Sequence, residues 1–133
     1  MIFRLAVETH QRDELIDITC QVQNVVTDAA AHEGICTVYV PHTTAAVTIQ
    51  ENDDPNVAVD IIDGLDRLIP VKGVLPYKHI EENAPAHLKV ALVGTSETLF
   101  VEEGKLQLGR WQSIFLCEFD GPRQREVLVK LSA

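Results

Sequence analysis

The sequence predicts an α+β fold: a single domain over residues 1–133, largely antiparallel β-sheet or sandwich, with two to three helices. Three observations predict it. Most segments alternate apolar and polar residues with a period of two. Two or three stretches instead repeat apolar residues at helical spacing, bounded by proline and glycine. Strands and helices do not alternate strictly, and the C-terminal third reads as strands and tight turns alone, so a sheet with helices on one face is expected.

Each element follows in order. "IFRLAVET" and "ELIDITC" read as two strands, and the polar "HQRD" between them predicts a hairpin. Val22, Val25, Val26, Ala29 and Ala30 then recur at the spacing of one buried helical stripe. Thr19 is placed to cap that helix, Gly34 to end it, and His32 to meet the negative end of its dipole in the last turn. "ICTVYVPH" and "AAVTIQEN" are strands rich in β-branched residues. In "DDPNVAVDIIDGLDRLIP", Asp54 is a natural N-cap and Pro55 suits the first helical position. There Val57, Ile61, Ile62, Leu65 and Leu68 form the expected buried stripe, and Pro70 stops the helix. The loop "VKGVLPYKHIEENAP" leads to a short helix, "AHLKVALVG", which Pro85 opens and Gly94 closes. "ETLFV", "LQLG", "RWQSIFLCEFD" and "REVLVKLS" complete the β structure around the turns "EEGK" and "GPRQ".

Composition excludes several classes. At 46% hydrophobic residues the chain is expected to fold rather than remain disordered. No apolar run reaches bilayer-spanning length, and the charged N-terminus does not read as a signal peptide, so no membrane partner and a cytoplasmic location are expected. A net charge of −9, with 11 Lys+Arg against 20 Asp+Glu, argues against nucleic acid, although Arg123 and Arg125 leave room for a local basic patch. Cys20, Cys36 and Cys117 are widely spaced and odd in number, so they read as reduced, mostly buried residues. There is no GxGxxG, P-loop or GxSxG motif.

The chemistry gathers where apolar strand phases end. Cys36, Val38, Val40 and His42 share one strand face; so do Ala45, Val47, Ile49 and Glu51; so do Ile114, Leu116 and Glu118. An ionisable group in a buried phase needs a partner, a ligand or a shifted pKa. His79 in the loop and His87 on the short helix join His42 as candidate metal ligands from three separate elements. Three imidazoles suit zinc, manganese, nickel or iron better than magnesium, which prefers oxygen ligands. Hydrogen-bonded histidines are the bland alternative, and the spacing by itself favours it. Glu51 could act as a general base or orient a histidine. Glu118 and Asp120 flank the turn "FDGPR", where Asp120 could be a simple turn former. Arg123, just past that turn, is the best candidate for gripping a phosphate or carboxylate. Asp54 is explained as a cap; Asp53 is not.

"HTTAAVTIQENDDP", "HIEENAPAHLK" and "LQLGRWQSIFLCEFDGPRQREVLV" resemble the signatures of the YjbQ-like family, and the resemblance covers nearly the whole chain. It implies an α+β homotrimer with secondary thiamine-phosphate synthase activity: a transferase that joins hydroxymethylpyrimidine diphosphate to a thiazole phosphate with loss of diphosphate. The family's histidines map onto His42, His79 and His87. Its carboxylates and amides map onto Glu51, Asn52, Asp54, Asn83, Glu118 and Asp120, and its arginine onto Arg123. Lys89, two residues after His87, is placed to help with phosphate. Two positions depart from the pattern: Glu82 stands where a glycine is usual, and Asp53 where a small residue is usual.

Together these readings give catalytic Glu51, Asn52, Glu118 and Asp120; substrate-binding Asn83, Lys89 and Arg123; and metal-binding His42, His79 and His87. Diphosphate departure would ask for magnesium, whereas the histidines suit a softer metal. The expected partner is a small phosphorylated metabolite. Rival readings are a metal-dependent hydrolase of such a metabolite, a non-catalytic metabolite- or metal-binding protein, and, last, a purely structural trimer.

Overall fold

Two antiparallel sheets carry the architecture. The computed structural model describes residues 1–70 and 83–133. In chain order the elements are β1 (Ile2–Glu8), β2 (Glu14–Asp17), α1 (Thr19–Asp28), β3 (Gly34–Tyr39), β4 (Ala45–Glu51), α2 (Pro55–Leu68), α3 (Ala84–Val93), β5 (Ser96–Glu102), β6 (Lys105–Leu106), β7 (Gln112–Glu118) and β8 (Gln124–Ser132). One sheet has the order β1-β8-β3-β5-β6 and the other β2-β7-β4. The predicted α+β class holds.

The main core lies between the sheets and α1. Val22, Val25 and Val26 of α1 meet Cys36, Val38, Val127 and Val129 of the large sheet and Val47, Ile114 and Leu116 of the small one. The other face of the small sheet is also covered. Ala46, Phe115, Cys117 and Phe119 pack against Ala86 and Val90 of α3. A strand buried on both faces loses apolar–polar alternation, which is why "IFLC" runs apolar without a break.

Several expectations need correction. β1 and β2 do not form a hairpin. β1 pairs with β8 and β2 with β7, in different sheets. The connecting residues are instead held by the distant β7–β8 turn, through Thr9 N–H to the Arg123 carbonyl (2.9 Å) and Gly121 N–H to the Arg12 carbonyl (3.1 Å). Thr19 does not cap α1. The N-cap position is Ile18, and the Asp17 carboxylate accepts from the Thr19 N–H (2.9 Å) and hydroxyl (2.6 Å). α1 ends at Asp28, with Ala30 in the left-handed region (φ 53), so Ala30, His32 and Gly34 lie beyond it. Of "LQLG" only Leu106 lies in a strand, the two-residue β6.

α2 begins as expected: the Asp54 carboxylate accepts from Asn56 N–H (2.9 Å), with Pro55 in the first turn. Its apolar stripe, however, is not buried. Val57, Ile61, Ile62 and Leu65 are half-covered and Leu68 is 69% exposed. α3 matches its reading, with Pro85 in the first turn and Gly94 at the C-cap (φ 101).

Candidate functional site

At the shared end of β7 and β8, Glu118 is fully buried and Arg125 nearly so. Glu118 follows Ile114 and Leu116 in the inward phase, and Arg125 precedes Val127 and Val129 in theirs, so both side chains enter the interior. The Glu118 carboxylate accepts from the Thr9 hydroxyl (2.7 Å), Arg125 Nε (2.8 Å) and the N–H groups of Phe119 and Asp120 (both 3.1 Å). Arg125 Nη2 forms a second, close bond to it and also donates to the Thr44 hydroxyl (2.8 Å). Burial alone would raise the Glu118 pKa; the bonds from Arg125, Thr9 and Asp120 N–H outweigh it and hold the pKa below its usual value. Five donors occupy all the lone-pair sites a carboxylate has. In this arrangement Glu118 positions Arg125 and the following turn, with no lone pair left to take a substrate proton.

Two histidines flank the same end. β3 leaves its ladder with β8 at the Tyr39–Leu128 pair, and Pro41 cannot extend it. His42 takes over: its Nε2 accepts from the Glu126 N–H at 2.9 Å. Burial first, then the Arg125 charge, lower its pKa, so the ring is neutral at neutral pH. His87 of α3 places Nδ1 3.1 Å from the Thr43 carbonyl. A carbonyl only accepts, so Nδ1 is the donor in that contact.

Beside them, Asp120 joins two predicted substrate-binding residues. Its Oδ2 accepts from Asn83 Nδ2 (2.9 Å) and Arg123 Nη2 (2.8 Å), and its carbonyl accepts from Arg123 Nε (2.7 Å). Asn83 Oδ1 is buried and has no hydrogen-bond partner among the described residues. Since Nδ2 faces a carboxylate, the amide cannot flip to hide that oxygen. Arg123 is 51% exposed, and among the described residues three of its five N–H donors are unengaged. Asn83, Asp120, Lys89, Arg12, Ala86 and Phe119 line a cavity of about 70 Å³. Lys89 is only 2% exposed; its ammonium meets Asp66 (2.5 Å) and Asp13 (3.2 Å) and stands over the Phe119 ring. It braces α3 against α2 and the β1–β2 connection as well as lining the cavity.

Glu51 and Asn52 are elsewhere. Ala45 pairs with Glu118, whereas Glu51 pairs with Gln112, six residues along the same ladder. At about 3.3 Å per residue the two ends are ~20 Å apart. Asn52 there donates to Asp17 Oδ2 (2.9 Å), and Asp53 is exposed.

His79 and Glu82 lie outside the described residues. Among the described residues no three His, Cys, Asp or Glu side chains converge to hold a metal ion. His42 presents no available lone pair, and those of Glu118 are filled. As bonded here, His42 and Glu118 do not fit a metal. Burial pushes the thiols of Cys36 and Cys117 up to about 11 and about 12, which makes them inert, while Cys20 is exposed. No helix among the described residues is long and apolar enough to cross a membrane.

Sequence reasoning missed Arg125, Thr9 and Thr44 as parts of this cluster. Arg125 carried a usable signal, since it shares the inward phase of Val127 and Val129. Thr9 and Thr44 carried none.

Comparisons with known proteins agree with this architecture. The family model described as UPF0047 protein YjbQ-like matches residues 3–133. A UPF0047 protein of Methanocaldococcus jannaschii is 47% identical over 98% of this chain and 94% of its own length. The UPF0047 protein YugU of Bacillus subtilis is 43% identical, covering 98% of each. A crystal structure of a yjbq/upf0047 family protein from Clostridium acetobutylicum superposes with a TM-score of 0.94 at 45% identity, over 98% of this chain and 99% of that one.

Proposed function

Because the chain belongs to the UPF0047 protein YjbQ-like family, we propose that it is an enzyme acting on a small phosphorylated metabolite, with thiamine-phosphate-synthase-type transfer as its reaction. One observation carries this reading. The Asn83–Asp120–Arg123 group links an exposed guanidinium to a buried amide whose oxygen lacks a donor among the described residues. Arg123 is held by two bonds to Asp120, so it is ordered before ligand arrives and loses little freedom on gripping an anion. The Asn83 oxygen calls for an N–H or O–H on the same ligand. A phosphorylated molecule with an amino or hydroxyl group answers both.

The homotrimer implied by the family resemblance belongs to the same proposal. The uncovered stripe of α2 and the exposed Leu92, Phe100 and Trp111 support it.

The test is direct. Purified protein is mixed with hydroxymethylpyrimidine diphosphate, thiazole phosphate and magnesium, and thiamine phosphate is followed. Turnover that falls about tenfold or more in Arg123→Met, the worth of one charge-assisted hydrogen bond, supports the reading. Saturable binding of either phosphate without turnover would leave a binding protein in its place.

A further inference from the structure

His42 is bound by its wrong nitrogen to be a metal ligand, and the same contact gives it another task. The acceptor of the Glu126 N–H is Nε2. A backbone amide always carries its hydrogen, so Nε2 must bear the lone pair in that bond. A neutral imidazole has one N–H, which then sits on Nδ1. Ligation through Nδ1 would move the proton to Nε2 and set two hydrogens against each other at 2.9 Å. Ligation through Nε2 would strip Glu126 of its acceptor at the point where β3 has left the ladder.

Among the described residues nothing accepts from Nδ1, and the ring is only partly covered. Arg125 lies close enough for its charge to act on the ring, held in place by Glu118 and Thr44. A ligand there meets a neutral N–H donor in a field set by the guanidinium, with the Glu118 and Glu126 carboxylates in partial opposition. We infer that His42 is locked as the neutral Nδ1–H tautomer, a hydrogen-bond donor to an anionic oxygen of the ligand, and is not a metal ligand. The tautomer is independent of the transferase reading and stands or falls without it.

Long-range proton–nitrogen correlation spectra of the imidazoles test this in the intact protein. The expected pattern for His42 at pH 8 is a protonated Nδ1 and a bare Nε2, unmoved by added zinc and shifted at Nδ1 by inorganic phosphate. His42→Gln supplies an oxygen for the Glu126 N–H and an amide N–H in place of Nδ1–H, whereas His42→Leu supplies neither. His42→Gln should keep the fold, any zinc affinity and phosphate binding, and His42→Leu should weaken phosphate about fivefold to tenfold, as loss of one hydrogen bond does. A protonated Nε2, or zinc affinity lost in His42→Gln, overturns the assignment. Phosphate binding unchanged in His42→Leu overturns the donor role.

Discussion

The β4–β7 ladder has two ends, and they answer one sequence pattern in opposite ways. Glu118 and Glu51 both close an apolar strand phase, and in sequence they look alike. At the Ala45–Glu118 end the carboxylate is fully buried and saturated by five donors. At the Glu51–Gln112 end burial fades along β4 toward solvent, and Glu51 is half-exposed. The difference is tertiary. Arg125, Thr9 and Thr44 arrive from β8, the β1–β2 connection and the loop before β4. Among the described residues nothing comparable reaches Glu51. An ionisable residue in a buried phase marks a polar cluster only where other elements supply its partners.

Breaking the buried end should have the largest effect. Arg125→Met leaves an unpaired buried carboxylate and should cost about 3–5 kcal/mol in denaturant unfolding. Adding Glu118→Leu to it should recover part of that loss, since removing both charges ends the desolvation penalty. A double variant no more stable than the single one would show that the pair itself stabilises the fold.

Gly121→Ala should come next. An added Cβ would stand 2.2 Å from the Gln11 carbonyl oxygen and 2.8 Å from Glu118 Cγ. The turn would have to move off the β1–β2 connection, costing roughly 1–3 kcal/mol. A wild-type melting temperature would contradict the close packing of that turn.

Acid should weaken the buried end in stages. His42 and Glu118 both have pKa values lowered by folding, so in each case the unfolded chain binds protons first. The His42 contribution is present above 6.5 and declines as pH falls below that value. The Glu118 contribution is present above 4.5 and is lost as pH falls through its lower folded value. Unfolding free energy measured against pH should therefore fall in two steps. His42→Gln should erase the upper one and leave the lower.

The smallest effect belongs to the open end. Glu51→Gln should change stability by no more than about 0.5 kcal/mol, as surface substitutions do. A loss of several kcal/mol would mean that Glu51 is buried against another copy of the chain.

Local signals explain what could be read in advance. Asp54 and Pro55 start α2, and Pro85 and Gly94 bound α3, because caps are decided within a few residues. The β1–β2 hairpin failed because strand pairing is non-local: β2 is drawn to β7, whose faces are both buried. The site divides in the same way. His42, Asn83, His87, Lys89, Glu118, Asp120 and Arg123 could be named from phase and resemblance. Their roles could not, because those depend on contacts from distant elements: Thr43 on His87, Glu126 on His42, and Asp13 and Asp66 on Lys89.

The most direct test of the account is calorimetric titration of hydroxymethylpyrimidine diphosphate into wild type, Arg123→Met and Glu51→Gln. The account predicts saturable binding that Arg123→Met weakens about tenfold or more and Glu51→Gln leaves intact. Equal affinity in all three proteins, or a loss confined to Glu51→Gln, would contradict it and move the ligand to the other end of the ladder.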